Sequence, residues 1–311
     1  MSKPFLTYEQ QIKKLTEKGM EIPDKDYATQ LLKNNSYFSM LSGYKQPFKK
    51  RDGTYKKGVS IKDIHALYKF DEDLRHIFLE YILIVERKIK SLLSYAFSER
   101  FGFSQNSYLN AGNFDYDVKD TGKIKAVNEL VSVLTKITTP PFQYKYIKHQ
   151  HEEHGNIPLW VTVKALTFGN ISKMYSLSIP SIKTSVSKEF SNVSEGELER
   201  MLDVLSRFRN ICAHDERLYD FRLNKKEIWD TDVHSQLNVK KQKGKYTQGK
   251  NDLFAVLIAL TYLIDQAMIV ELCNKIKFQI DALCGVSNFV PYEKLLKQMG
   301  FPKNWEEIAE I

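Results

Sequence analysis

Residues 60–98 constrain the fold of this chain more than any other stretch. Ile61, Ile64, Leu67, Leu74, Ile77, Phe78, Tyr81, Ile82, Val85, Ile89, Leu92 and Leu93 fall mostly three or four apart, which is the apolar stripe of an amphipathic helix. Ser60 followed by Asp63 is an N-cap pattern, and Gly102 lies just past the end. At about 1.5 Å per residue such a helix spans most of a domain. It is expected to serve as a spine around which the other elements pack.

The helical period returns over residues 8–18, 26–35, 123–137, 159–177, 194–213, 252–280 and 292–299. Pro158 suits a first helical turn, Ser194-Glu195-Gly196-Glu197 is a capping box, and Gly300 follows Met299. The stripe of the helix over 194–213 is Leu198, Met201, Leu202, Leu205 and Phe208, and Asn304 caps a last short turn. Strand-like alternation is confined to residues 219–223 and 233–239. No internal repeat and no sustained heptad seam occurs. With 14 Gly and 9 Pro in 311 residues, a turn-dense β protein or collagen-like chain is excluded. Hydrophobic residues at 42% exclude disorder, because so much apolar surface can offset the entropy of ordering. The expectation is a mostly α protein built on a helical bundle. Residues 1–58 form an N-terminal helical and basic-loop region, 59–285 the helical domain and 286–311 a C-terminal helical tail.

The apolar run 253–264 is too short for a hydrocarbon core of roughly 30 Å and is bracketed by Asp252 and Asp265. It reads as a buried helix, and no signal-peptide core precedes it at the N-terminus. Cys212, Cys273 and Cys284 are scattered and form no CxxC pair, which excludes a disulfide framework and the usual structural zinc site. A soluble protein of the reducing cytoplasm, without a membrane partner, is expected.

Lys plus Arg number 46 against 38 Asp plus Glu, a net charge of +8, with a pI near 9.0. Such an excess suits a polyanionic partner: nucleic acid, an anionic membrane or an acidic protein. Part of it sits in two stretches between helices. Residues 45–62 carry Lys45, Lys49, Lys50, Arg51, Lys56, Lys57 and Lys62, opposed early on only by Asp52. Residues 238–250 carry Lys240, Lys241, Lys243, Lys245 and Lys250 with no acid. These are either solvated loops or phosphate contacts, with Tyr44, Phe48, Tyr55 and Tyr246 as rings on which bases stack.

The helix over 194–213 ends in Arg209-Asn210-Ile211-Cys212-Ala213-His214. Asn210 and His214 are four apart and share a face, so the Asn amide is placed to orient the imidazole. Arg209 is about 140° away around an ideal helix, within reach only through its long side chain. Arg brings a permanent planar charge that grips phosphate with two donors, and His moves protons near neutral pH. Both also suit a helix C-terminus for its dipole alone, so the spacing leaves a structural reading open. Together they fit RNA cleavage, in which a base removes the 2′-OH proton, the oxygen attacks the adjacent phosphate and Arg stabilises the developing charge.

Arg209-Asn210 and His214 resemble the R-N-x-x-x-H motif of HEPN ribonucleases, and the surrounding sequence resembles the Abi abortive-infection family (its AbiD/AbiF-like group). Lys3 to Gln11 with residues 15–22, residues 37–48 with Leu41-Ser42-Gly43-Tyr44, Phe70 to Arg75 with Glu86 to Lys90, and Pro158 to Trp160 with Phe168 to Ser172 are similar to that family's ordered signatures. The resemblance implies an HEPN-like bundle with N- and C-terminal helical extensions, acting as a metal-independent endoribonuclease without a cofactor. It implies Arg209, Asn210 and His214 as the site residues, in a composite site completed by homodimerisation. It also implies a role in phage defence, with some relatives resembling toxins held inactive by a structured small RNA. The family's second His, after the motif, is here Asp215, which puts any role of that position in doubt.

Glu86 sits inside an apolar stripe, where it either pairs with Lys90 at i,i+4 or, with Arg87 as the alternative, reaches the motif helix as a companion of His214. His149, His151 and His154 lack the spacing of an H-E-x-x-H zinc site, and no metal is expected. Cys212 reads as a packed small residue, and Trp160 and Trp229 as core or interface anchors. The alternative to an enzyme is a non-catalytic RNA-binding module that grips a structured RNA with Arg209 and the Lys-rich loops, or a protein regulator with a merely cationic surface.

Overall fold

In the computed structural model, which describes residues 4–117 and 119–311, the chain is mostly α and winds around a single helix of 41 residues. Lys3 of the opening motif lies outside the described residues. Helices α1 (Tyr8–Glu17) and α2 (Lys25–Asn34) and a π-helical turn over Tyr37–Ser42 precede the spine, α3 (Ile61–Phe101). The spine starts where expected: Ser60 N–H and Oγ both donate to Asp63 Oδ2, at 2.9 and 2.8 Å. It stops at Gly102, whose φ of 85° is a left-handed value that a side chain would resist.

Around it follow α4 (Gln105–Leu109), α5 (Thr121–Thr138), α6 (Lys145–His154), α7 (Leu159–Thr162), α8 (Phe168–Ser176), α9 (Pro180–Ser187), α10 (Glu195–Ala213) and α11 (Asp232–Gln236). After a hairpin, β1 (Lys241–Gln242) with β2 (Lys245–Tyr246), come α12 (Leu253–Leu263), α13 (Gln266–Val286), α14 (Tyr292–Met299) and a 3₁₀ turn, Trp305–Glu310. Helices α7 to α10, α12 and α13 all pack on α3. Leu67, Leu74, Phe78, Ile82, Val85, Ile89 and Leu93 of its stripe are fully buried, and side chains from all three sequence segments join one continuous apolar core. Each large apolar side chain buried this way contributes roughly 1.5–3 kcal/mol.

Several expectations needed correction. The helix expected over 159–177 is broken. Leu166 is extended, and Thr167 starts α8 as an N-cap, its side chain accepting from Asn170 N–H. The one over 252–280 is broken at Ile264. Helix α12 is buried on every side whereas α13 buries one face against α3, and no single straight helix meets both demands. Neither expected strand forms. Residues 233–236 lie in α11, and the backbone N–H groups of Leu218 and Tyr219 go to a carboxylate instead of a neighbouring strand. The strands lie instead within the Lys-rich stretch, where Lys243 and Gly244, with φ of 51° and 79°, make the tight turn that two-residue hairpins favour. Trp160 and Trp229 are about half exposed, so of the two expected roles the core one falls, and Trp229 lies over Gly196 in the first turn of α10.

Among the described residues, no helix is long and apolar enough to cross a membrane. All three cysteines are free, and burial pushes the Cys212 thiol up to about 12, so it is an inert packing residue.

Candidate functional site

Helix α10 begins on the capping box read from the sequence, with Glu197 accepting from Ser194 N–H at 2.9 Å and Ser194 Oγ from Glu197 N–H at 3.3 Å. Its apolar stripe is buried through Phe208, Ile211 and Cys212. At its far end His214 N–H still donates to Asn210 O at 3.0 Å. Asp215 then turns left-handed at φ 56°, and Glu216 N–H closes back on Ile211 O at 3.2 Å. This is a Schellman-type cap with Asp in the position usually held by Gly.

The chain holds that strained turn with a buried ionic network. Arg75, 2% exposed, reaches Asp215 through Nη2 and Asp71 through Nη1 at 2.8 Å. Asp71, fully buried, accepts from Tyr44 Oη at 2.6 Å, from Leu218 N–H at 3.0 Å and from Tyr219 N–H at 2.6 Å. Burial pushes the Asp71 carboxyl up, while Tyr44, Leu218, Arg75 and Tyr219 pull it back. Arg75 Nη1 also donates to Glu216 O at 3.4 Å, and Arg217 Nη1 donates to Gly43 O. The Leu41–Tyr44 and Phe70–Arg75 segments therefore converge on the residues that follow His214.

Of the expected site residues, Arg209 turns toward the spine. Its Nε lies 3.4 Å from Glu86 Oε2, while Glu86 Oε1 holds Lys90 at 2.8 Å. The pairing of Glu86 with Lys90 is thus realised, Glu86 meets the motif helix at Arg209 and not at His214, and Arg87 is exposed. The Arg209–Glu86 contact is an ion pair without a well-directed hydrogen bond, since neither Arg209 Nε nor Glu86 Oε2 has a hydrogen-bond partner. Asn210 and His214 are exposed, and among the described residues no side-chain hydrogen bond joins them or engages the His214 ring. The Asn amide accordingly does not orient the imidazole in this chain by itself.

The expected RNA contacts divide. Tyr44 is no stacking platform, because its ring is 3% exposed and its hydroxyl is held by Asp71. Phe48 and Tyr55 are buried too. Lys49 donates to Gly53 O and Lys56 to Pro47 O, both at 2.7 Å, so these ammonium groups tie down their own loop. Lys50, Arg51 and Lys57 are exposed, and Lys45 is partly exposed. On the other side, Lys240, Lys241, Lys243 and Lys245 are exposed on or beside the hairpin. The partly exposed Tyr246 ring stacks on His234 at 4.7 Å, with the Lys241 ammonium 4.3 Å from its centroid. His149, His151 and His154 lie along exposed α6, and among the described residues no three His, Cys, Asp or Glu side chains gather as metal ligands.

Sequence reasoning missed Asp71, Arg75 and Asp215 as parts of the site. Two charged residues four apart inside the stripe of α3, at positions where apolar residues are expected, were the available signal. A polar residue able to turn left-handed directly after a helix was the other.

A family model described as Abi-like protein matches residues 30–220, a span that holds Tyr44, Asp71, Arg75, Glu86, Arg209 and His214. No curated protein and no solved structure matches the chain.

Proposed function

The chain belongs to the Abi-like protein family, which suggests abortive-infection phage defence, and from that premise we propose that it is a toxin-like endoribonuclease of the HEPN type. The observation that carries the reading is the end of α10. Arg209 is held from one side by Glu86, while Asn210 and His214 stand exposed beside it. Nothing in the described chain engages the His214 ring. On this reading the end of α10 forms half of a site, which a second copy of the chain completes.

In the proposed reaction, which uses no metal or other cofactor, a base at the site removes the proton of a ribose 2′-OH, with His214 as the group that moves protons. The 2′-oxygen attacks the adjacent phosphorus, and the bond to the 5′-oxygen breaks. The leaving oxygen takes up a proton. Arg209 stabilises the charge that builds on the phosphoryl oxygens, as a planar donor pair suits. The products are a 2′,3′-cyclic phosphate and a 5′-OH end. The enzyme works as a homodimer in the cytoplasm on host or phage RNA, and a structured non-coding RNA holds it in check.

Purified chain incubated with total RNA in EDTA should cut it, and the Arg209→Ala/His214→Ala variant should not. Equal cutting by both would remove the assignment. Tight RNA binding without cutting by either would leave the RNA-holding module as the reading.

A further inference from the structure

Beside Asn210, helices α8 and α10 leave a solvent-open cleft of about 490 Å³ between them. Its depth follows from sequence. Gly169, Ser172 and Ser176 on one helix and Ser206 on the other are small, so nothing fills the space between the backbones. Its walls are charged. Lys173, Arg200, Arg207 and Lys226 line it against two carboxylates, Glu199 and Asp203. Glu199 is already met from outside the cleft by Lys183 at 2.8 Å, and Lys173 by Glu129 at 2.8 Å. Asp203 lies between Arg207 and Lys226, 3.0 Å from each, so one carboxylate fixes two cations on the wall. Arg200 is exposed beside the Trp229 ring, its guanidinium 6.0 Å from the centroid, with no acidic partner among the described residues. The cleft therefore carries an excess of positive charge.

Its direction matters as much. Glu199, Asp203, Arg207, Asn210 and His214 succeed one another at steps of three or four residues, so they share one face of α10. Arg207 and Asn210 in the cleft therefore lie on the same face as His214. Resting on the nuclease reading above, we propose that this cleft is the groove for single-stranded RNA, in which Lys173, Arg200, Arg207 and Lys226 hold the phosphates of nucleotides flanking the one brought to Asn210 and His214. A single strand suits the site because a flexible backbone bends into a cleft between two helices, whereas a rigid duplex requires a wide, shallow surface.

The test uses the full chain carrying His214→Ala, so that RNA stays uncut, in EDTA with a fluorescently labelled single-stranded RNA. Anisotropy titrations over about 50–200 mM salt give both affinity and its salt slope. In this background Lys173→Ala/Arg200→Ala/Lys226→Ala should weaken binding at least about tenfold and reduce the slope by about two, since each phosphate contact on a single strand contributes about 0.7. Arg200→Glu alone, which leaves every ion pair of the cleft in place, should weaken it in the same direction and decides the matter should the triple variant fold poorly. An unchanged affinity and slope in a folded variant would overturn the groove, as would displacement of the RNA by polyglutamate as effectively as by unlabelled RNA. The two readings fail separately. Binding through the cleft without cleavage by the wild-type chain sinks the nuclease and keeps the groove. Undiminished cutting by the triple variant with His214 restored keeps the nuclease and discards the groove.

Discussion

Asp71→Ala should destabilise the protein by about 3–5 kcal/mol, among the largest effects of any single substitution outside the apolar core. Asp71 is fully buried and satisfies Tyr44 Oη, two backbone N–H groups and Arg75 together. Its removal strands all of these donors, and an unsatisfied buried donor costs its whole desolvation penalty. For a chain of this length the melting temperature should drop by roughly 5–8 °C. Asp215→Asn makes the contrast. Its side chain is 60% exposed, Arg75 keeps Asp71, and Asn tolerates the left-handed turn, so stability should change by only about 1 kcal/mol. Tyr44→Phe removes one hydrogen bond to a buried carboxylate and should fall between them, at about 1.5–3 kcal/mol. Differential scanning calorimetry of the three variants checks the order. An Asp71→Ala protein that melts with the wild type would show that the network does not hold the turn after His214.

The second large effect concerns rate. On the proposed reaction, Arg209→Ala should lower cleavage roughly 10²–10³-fold, the loss seen when one preorganised donor to a developing oxyanion is removed. Glu86 acts through Arg209. With its carboxylate against Nε, both terminal nitrogens of the guanidinium remain for a phosphate, and the side chain is held partly buried against the spine. Glu86→Ala should therefore lower kcat about tenfold or more with little change in KM, and Glu86→Gln, which keeps the length and packing of the side chain but not its charge, should recover only a small part of it. Single-turnover cleavage of a defined RNA separates the two parameters. A Glu86→Ala enzyme as fast as the wild type, or faster, would mean that Glu86 merely neutralises Arg209 and does not position it.

The spine and the motif helix were legible in the sequence because their signals are local. Ser60 with Asp63 and Ser194 with Glu197 cap their helices through contacts three residues apart, and the stripes from Ile61 and from Leu198 need only a period. The break at Ile264 was not legible, because it answers to what each half-helix packs against, whereas the break at Leu166 carried a local signal, Thr167 capping α8 on Asn170 N–H, that the longer apolar run masked. The same distinction runs through the site. Arg209, Asn210 and His214 stood out as a spacing, but the choice of Glu86 over Arg87 as the partner of Arg209 depends on how α10 crosses α3. Tyr44 shows the reverse error. Beside a run of lysines its ring reads as a platform for bases, and only the long-range contact with Asp71 shows that it is a buried anchor. Asp71 and Arg75 carried a signal in their charge at core positions, yet their target, the turn at Asp215, lies about 140 residues downstream and no local rule points to it.

The central claim is that Arg209 and His214 cut RNA by 2′-OH attack. Mapping the ends of RNA fragments made by the purified chain in EDTA tests it most directly. The account predicts 2′,3′-cyclic phosphate and 5′-OH ends, absent from reactions with His214→Ala. Fragments ending in 3′-OH and 5′-phosphate, or the same fragments from the His214→Ala chain, would contradict it.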